Sequence, residues 1–130
     1  MSYAITGTTN VGFAEAVDAI KASLAEQGFG VLTEIDMTAT LKQKIDADIA
    51  PYTILGACRP VFAEQSVRVE PQIGLLLPCN VVVRELDGGV IEVSAIDPDV
   101  MVEMTGNQQM AELAAEARTR LSAAVAAVTQ

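Results

Sequence analysis

Apolar residues recur at helical spacing at Phe13, Val17, Ile20 and Leu24, while Glu15, Asp18, Lys21 and Glu26 fall elsewhere around the turn. That period predicts an amphipathic helix of about four turns. Asn10 and Gly12 suit its entry, and Gly28 stops it, as a glycine just past a helix end usually does. Before it, Tyr3, Ile5 and Gly7 alternate with Ala4, Thr6 and Thr8, a weak strand signal. After it, Phe29 to Met37 reads as a second strand, with Val31, Thr33 and Ile35 on one side and Leu32, Glu34 and Asp36 on the other.

A short helix then spans Thr38 to Ile45, with Thr38 as its cap, and Pro51 breaks the chain. Tyr52 to Cys58 is almost wholly apolar, the mark of a strand buried on both faces. Pro60 opens another helix, Val61 to Val67, because its missing N–H costs nothing in a first turn. Pro71 ends that region. Asn80 to Leu86 and Val90 to Ile96 form a hairpin across Asp87-Gly88-Gly89, whose glycines supply the positive backbone dihedrals of a tight turn. Asp97-Pro98 ends the second strand, Asp97 shaping the turn. After Gly106, Asn107 to Val128 reads as one long alanine-rich helix. Its stripe runs through Met110, Leu113, Ala117, Leu121, Val125 and Val128, and Glu116 pairs with Arg120 one turn on.

The order strand, helix, strand, short helix, strand, short helix, strand, strand, helix predicts a two-layer α+β sandwich. One largely antiparallel sheet of about five strands carries the two long helices on one face. The other face is wet or paired with a second copy. No repeat, linker or charge block divides residues 1–130, so one domain is expected.

Composition narrows the function. The chain has 17 acidic and 8 basic residues, a net charge of -9, and only three Phe and two Tyr, with no Trp. Nucleic-acid affinity needs Lys and Arg to displace counterions, and single-strand platforms need exposed rings, so nucleic acid is excluded as a partner. The same charge disfavours anionic membrane surfaces. Met1-Ser2-Tyr3-Ala4-Ile5-Thr6 lacks the basic start and apolar stretch of a signal peptide. Ile73 to Val83, the longest apolar run, is too short to span a bilayer. A cytoplasmic protein with reduced thiols is the expectation.

Histidine is absent, so histidine-based catalysis and ligation are excluded, and thiol chemistry is the distinctive reactive resource. The two cysteines lie in matching settings, Gly56-Ala57-Cys58-Arg59-Pro60 and Leu77-Pro78-Cys79-Asn80. If Pro60 is the first helical residue, Cys58 sits at the helix mouth beside Arg59, where N–H groups and a guanidinium stabilise a thiolate. Packing is the competing role, since free Cys is among the most buried residue types. Cys79 has no comparable activating neighbour. Twenty intervening residues do not match the close pairs of structural zinc sites, and no metal or cofactor is expected. Glu34 and Asp36 share a strand face, a pattern of acid–base sites but more commonly of solvated faces. Phosphate-binding glycine loops, dinucleotide fingerprints and Gly-x-Ser-x-Gly are missing.

Glu34-Ile35-Asp36, Thr40-Leu41-Lys42, Tyr52 through Pro60 and Glu70 through Val81 together resemble domain of unknown function family 302. The ordered match runs from about Phe29 to Pro98 and contains both cysteine motifs. The resemblance implies a compact two-layer α+β domain, similar in topology to one half of the TATA-box binding protein, and a homodimer. It implies no catalytic role for any residue. Arg59 departs from the Asn more often expected there, which strengthens the electropositive reading. Fold alone does not carry the DNA function of the topological cousin.

The expected function is thus a small dimeric binding module for a small molecule, its pocket near Cys58, Arg59, Cys79, Asn80 and Glu34. Two alternatives stay open: a thiol enzyme or redox or soft-metal sensor using Cys58, and a purely structural dimer.

Overall fold

The computed structural model describes residues 2–130. Strand β1 spans Ala4–Thr9, helix α1 Phe13–Glu26, β2 Gly30–Asp36, α2 Met37–Ile45, β3 Tyr52–Cys58 and α3 Pro60–Val69. A 3-10 helix over Pro71–Leu76 follows, then β4 Cys79–Glu85, β5 Ile91–Ile96, α4 Asp99–Thr105 and α5 Ala111–Val128. The five strands form one antiparallel sheet in the order β1-β5-β4-β3-β2. The α+β sandwich expected from the pattern is the observed architecture.

The core lies between the sheet and the two long helices. Ala16, Ile20 and Leu24 of α1 and Ala117, Leu121 and Ala124 of α5 are buried against Leu55, Ala57, Cys79, Val81, Val83, Ile91, Val93 and Ala95. Alanines let α1 and α5 approach each other closely, and the Ser23 hydroxyl donates to the Ala124 carbonyl at 2.7 Å across that contact. Burying one large aliphatic side chain here contributes about 1.5–3 kcal/mol. The hairpin forms as expected: Glu85 faces Ile91, and Gly88 and Gly89 both have φ near 82°.

Four expectations need correction. The C-terminal helix begins at Ala111 rather than Asn107. Gly106, at φ 67°, ends a separate helix α4, and Asn107 starts a short 3-10 turn. Helix α4 arises because Pro98 occupies its start, where a proline favours a helix. Helix α2 is capped by Asp36, whose carboxylate accepts from the Ala39 amide at 2.9 Å, not by Thr38. Thr38 instead donates to the Ala50 carbonyl and accepts from the Tyr52 amide, tying α2 to the start of β3. A β-bulge between Val31 and Thr33 inserts Leu32 and flips the alternation. Val31 therefore pairs with core residue Ala57, while Thr33 and Ile35 pair with Gly56 and Ile54 on the opposite face. Finally, α3 runs from Pro60 to Val69, longer than the expected Val61–Val67.

Candidate functional site

The two cysteine motifs meet where β3 ends and β4 begins. Ala57 faces Cys79 across the ladder, so Cys58 and Cys79 lie diagonal to one another. Side chains alternate faces along a strand. Cys79 shares the core face with Val81 and Val83 and is 1% exposed. Cys58 shares the opposite parity with Gly56 and Ile54, and is half-buried. The sulfurs thus point to opposite sides of the sheet.

The motifs match for a packing reason. Gly56 lies where Thr33 of β2 and Pro78 converge: a Cβ there would stand 2.2 Å from Thr33 Oγ1 and 2.8 Å from Pro78 Cγ. The Leu77–Pro78 peptide is cis. Burial pushes the Cys79 thiol up from 9.0 to about 12, and the neighbouring Cys58 adds a smaller upward push. Cys79 is therefore a neutral thiol at physiological pH.

Arg59 precedes α3 but turns away from the thiols. Its side chain lies across Gly28 at the end of α1, and its Nη2 is 3.5 Å from Glu116 Oε1 of α5. Arg120 reaches the same carboxylate and donates to the Gln27 carbonyl, the C-terminal end of α1. Arg59 and Arg120 thus neutralise a helix terminus, where cations are favoured. Glu34 lies elsewhere, beside Lys21 of α1, with which it forms an ion pair. A cleft of about 270 Å³ there also takes in Asp18, Asp36 and Thr53. No cluster of three or more Cys, Asp or Glu among the described residues is arranged to hold a metal ion.

Asn80, next to Cys79, faces the uncovered side of the sheet. That side presents Ala4, Thr6 and Thr8 of β1, Ser94 and Ile96 of β5, Asn80 and Val82 of β4, and Tyr52 and Ile54 of β3. Its charged residues, by strand alternation on β1, β3, β4 and β5, are Arg84 and Glu92, which face each other across the ladder. Arg84 Nε donates to Glu92 Oε1 at 2.8 Å and Nη2 to Oε2 at 3.3 Å, and this hydrogen bonding holds Arg84 above its already high pKa. Thr6 and Ser94 share a hydroxyl hydrogen bond of 2.9 Å. Two adjoining clefts open here. One, of about 200 Å³ and largely apolar, is lined by Tyr3, Ala4, Asn80, Val82, Ser94 and Ile96. The other, of about 300 Å³, lies among Tyr3, Thr6, Tyr52, Arg84, Glu92 and Ser94.

Of the residues singled out by sequence, Cys58, Cys79 and Arg59 are neighbours along the chain fold but face different ways. Only Asn80 lies on these outer clefts, and Glu34 is apart. Sequence reasoning missed Tyr3, Tyr52, Arg84, Glu92 and Ser94. The signal was available in part: Arg84 and Glu92 sit at equivalent distances from the Gly88 turn, which sets a hairpin pair. No helix of the described residues is long and apolar enough to cross a membrane.

Among curated proteins none matches this sequence. The crystal structure of an uncharacterized conserved protein DUF302 from Bacillus stearothermophilus is similar to it, with a TM-score of 0.90 and 28% identity over 97% of this chain and 98% of the other. The model of the family described as Domain of unknown function DUF302 matches residues 5–128. With almost its whole length matched, the chain belongs to that family, whose function is unknown.

Proposed function

We propose that this protein is a small cytosolic binding module that works as a homodimer, two copies meeting through their uncovered sheet faces. The observation that supports this reading is the charge of that face. The chain carries -9 overall, yet this face holds one Arg and one Glu, already paired. Its remaining residues are hydroxyl-bearing, amide, apolar or, at Cys58, a thiol, so two copies meet there without the repulsion their other surfaces impose. Its size also suits. Five strands about 4.8 Å apart and about six residues long give a face of roughly 500 Å² in projection, which side-chain relief raises toward the about 800 Å² per partner of a standard interface. Two sheets packed face to face lie about 10 Å apart, which would enclose the two outer clefts between them.

Light scattering at micromolar concentration tests this. Twice the chain mass is expected, and Val82→Glu, which buries a charge at the centre of the face, is expected to give monomers with an unchanged circular dichroism spectrum. A wild-type monomer across that range overturns the dimer.

The thiol reading rests on a half-buried Cys58 two residues ahead of α3, since Arg59 is engaged with Glu116. Alkylation rate against pH tests it: a midpoint near the ordinary value of about 8.5 or above removes its basis.

A further inference from the structure

Both tyrosines of a chain poor in aromatics lie on one cleft, with the single cation of the outer sheet face between strands that present it. Glu92 engages Arg84 through Nε and one hydrogen of Nη2. A guanidinium has five N–H donors in a fixed fork, so Nη1 and the remaining Nη2 hydrogen are left over. Glu92 is more covered than Arg84, at 19% against 45% exposure of their side chains. The carboxylate thus acts as a support beneath a guanidinium whose free edge looks outward. Tyr52 lies directly opposite Arg84 in the ladder, which makes the ring and the guanidinium cross-strand neighbours. Val82 and Ala4 supply an apolar floor, and the Thr6–Ser94 pair supplies a hydroxyl.

We propose that this cleft binds a small organic carboxylate with a flat apolar body. The carboxylate accepts from the free edge of Arg84, and the body lies on Val82 and Ala4 between the rings of Tyr3 and Tyr52. The volume of about 300 Å³ matches the small end of ligand pockets and excludes large molecules. Charge decides the class. An oriented arginine favours a planar anion through paired, charge-assisted hydrogen bonds, and Glu92 opposes a second negative group nearby, so a monocarboxylate suits the site better than a dianion. The inference shares its face with the proposed dimer, whose second copy would shield the cleft from water.

Benzoate and its neutral isostere benzamide are the probes. The chain has no Trp, so tyrosine fluorescence reports from the cleft itself. Benzoate is expected to titrate saturably and about tenfold more tightly than benzamide, the ratio one charge-assisted hydrogen bond supplies. Arg84→Gln should erase that preference, and Arg84→Lys, which keeps the cation, should retain part of it. Circular dichroism confirms that each variant is folded. Equal affinity for the two probes, no saturation up to tens of millimolar, or an Arg84→Gln variant that still prefers benzoate overturns the inference. Light scattering on the same samples separates the two readings. A monomer that binds benzoate selectively keeps the site and removes the dimer, and a dimer indifferent to benzoate keeps the dimer and removes the site.

Discussion

Replacing Gly56 with alanine probes the reason the two cysteine motifs share their form. The added methyl would lie 2.2 Å from Thr33 Oγ1 and 2.8 Å from Pro78 Cγ, both well inside contact distance. Thr33 can relieve part of the clash by rotating its hydroxyl, because its Cβ would be 3.5 Å away. Pro78 has only a ring pucker to give. Overpacking of this kind costs about 1–3 kcal/mol, and the reduced freedom of the unfolded chain returns about 0.4–1 kcal/mol. The net loss is therefore about 1–2 kcal/mol. For 130 residues the unfolding entropy is about 0.27 kcal/mol/K, so the melting temperature should fall by about 4–7 °C. Thr33→Ala in the Gly56→Ala background should recover about half of that loss, because it removes one of the two obstructing groups. Gly74→Ala is the control: its Cβ would meet nothing within 4 Å, and its stability should change by less than about 1 kcal/mol. Calorimetry or urea unfolding gives the answer. A Gly56→Ala protein as stable as wild type, or one that Thr33→Ala fails to restore, refutes the packing argument.

Three other outcomes are expected. Cys79 keeps its proton in the folded chain until about pH 12 but releases it near 9.0 once unfolded, so its contribution to stability is whole below pH 9 and is lost as pH rises toward 12. The full span is on the order of 3–4 kcal/mol, and urea midpoints compared between wild type and Cys79→Ala over the alkaline range measure it; parallel pH profiles would contradict the assignment. Mild oxidation should leave both thiols free, because strand alternation sends the two Cβ atoms to opposite faces, and alkylation should reach Cys58 well before Cys79; peptide mapping that finds a Cys58–Cys79 link disproves this placement. Asp36→Ala removes the α2 cap at a local cost of about 1 kcal/mol, and since α2 buries no residue, faster exchange of the Ala39 amide should appear with little change in melting temperature.

The residues that spoke most clearly were those with a strong local cause. The Phe13 to Leu24 period and the Asp87-Gly88-Gly89 turn each set an element by themselves, and both elements formed. The bulge at Leu32 had no such mark, because a run of Val, Leu and Thr is compatible with either alternation until a partner strand fixes the register. Helix α4 was hidden because Asp97-Pro98 reads as a stop, although proline starts helices as readily as it ends strands. Pro71–Leu76, at the start of the apolar run that reaches Val83, bears no element in the sequence pattern and is a 3-10 helix, with only Ile73 buried. At the candidate site the limit was pairing. Which way Cys58, Cys79 and Arg59 point depends on the β3–β4 register and on a helix 57 positions further on, and neither is written in the local sequence.

The strand order sets the sequence of events in folding. Strands β2, β3 and β4 each pair with the strand that follows, so that meander closes through the connections 37–51, 59–78 and 86–90, the longest of 20 residues. Strand β1 must instead reach β5, with Thr6 and Ser94 joined across 88 residues, and its other edge is held by the Gln130 amide donating to the Thr8 carbonyl at 2.8 Å. Closing so long a loop has the larger entropic cost and gains contacts only after the rest of the sheet exists. β1 therefore docks late, onto a β5 edge that the meander has already built. In the native state the two edge strands, β1 and β2, open first by local excursions, while β3, β4 and β5, flanked on both sides, release their amides only in larger openings.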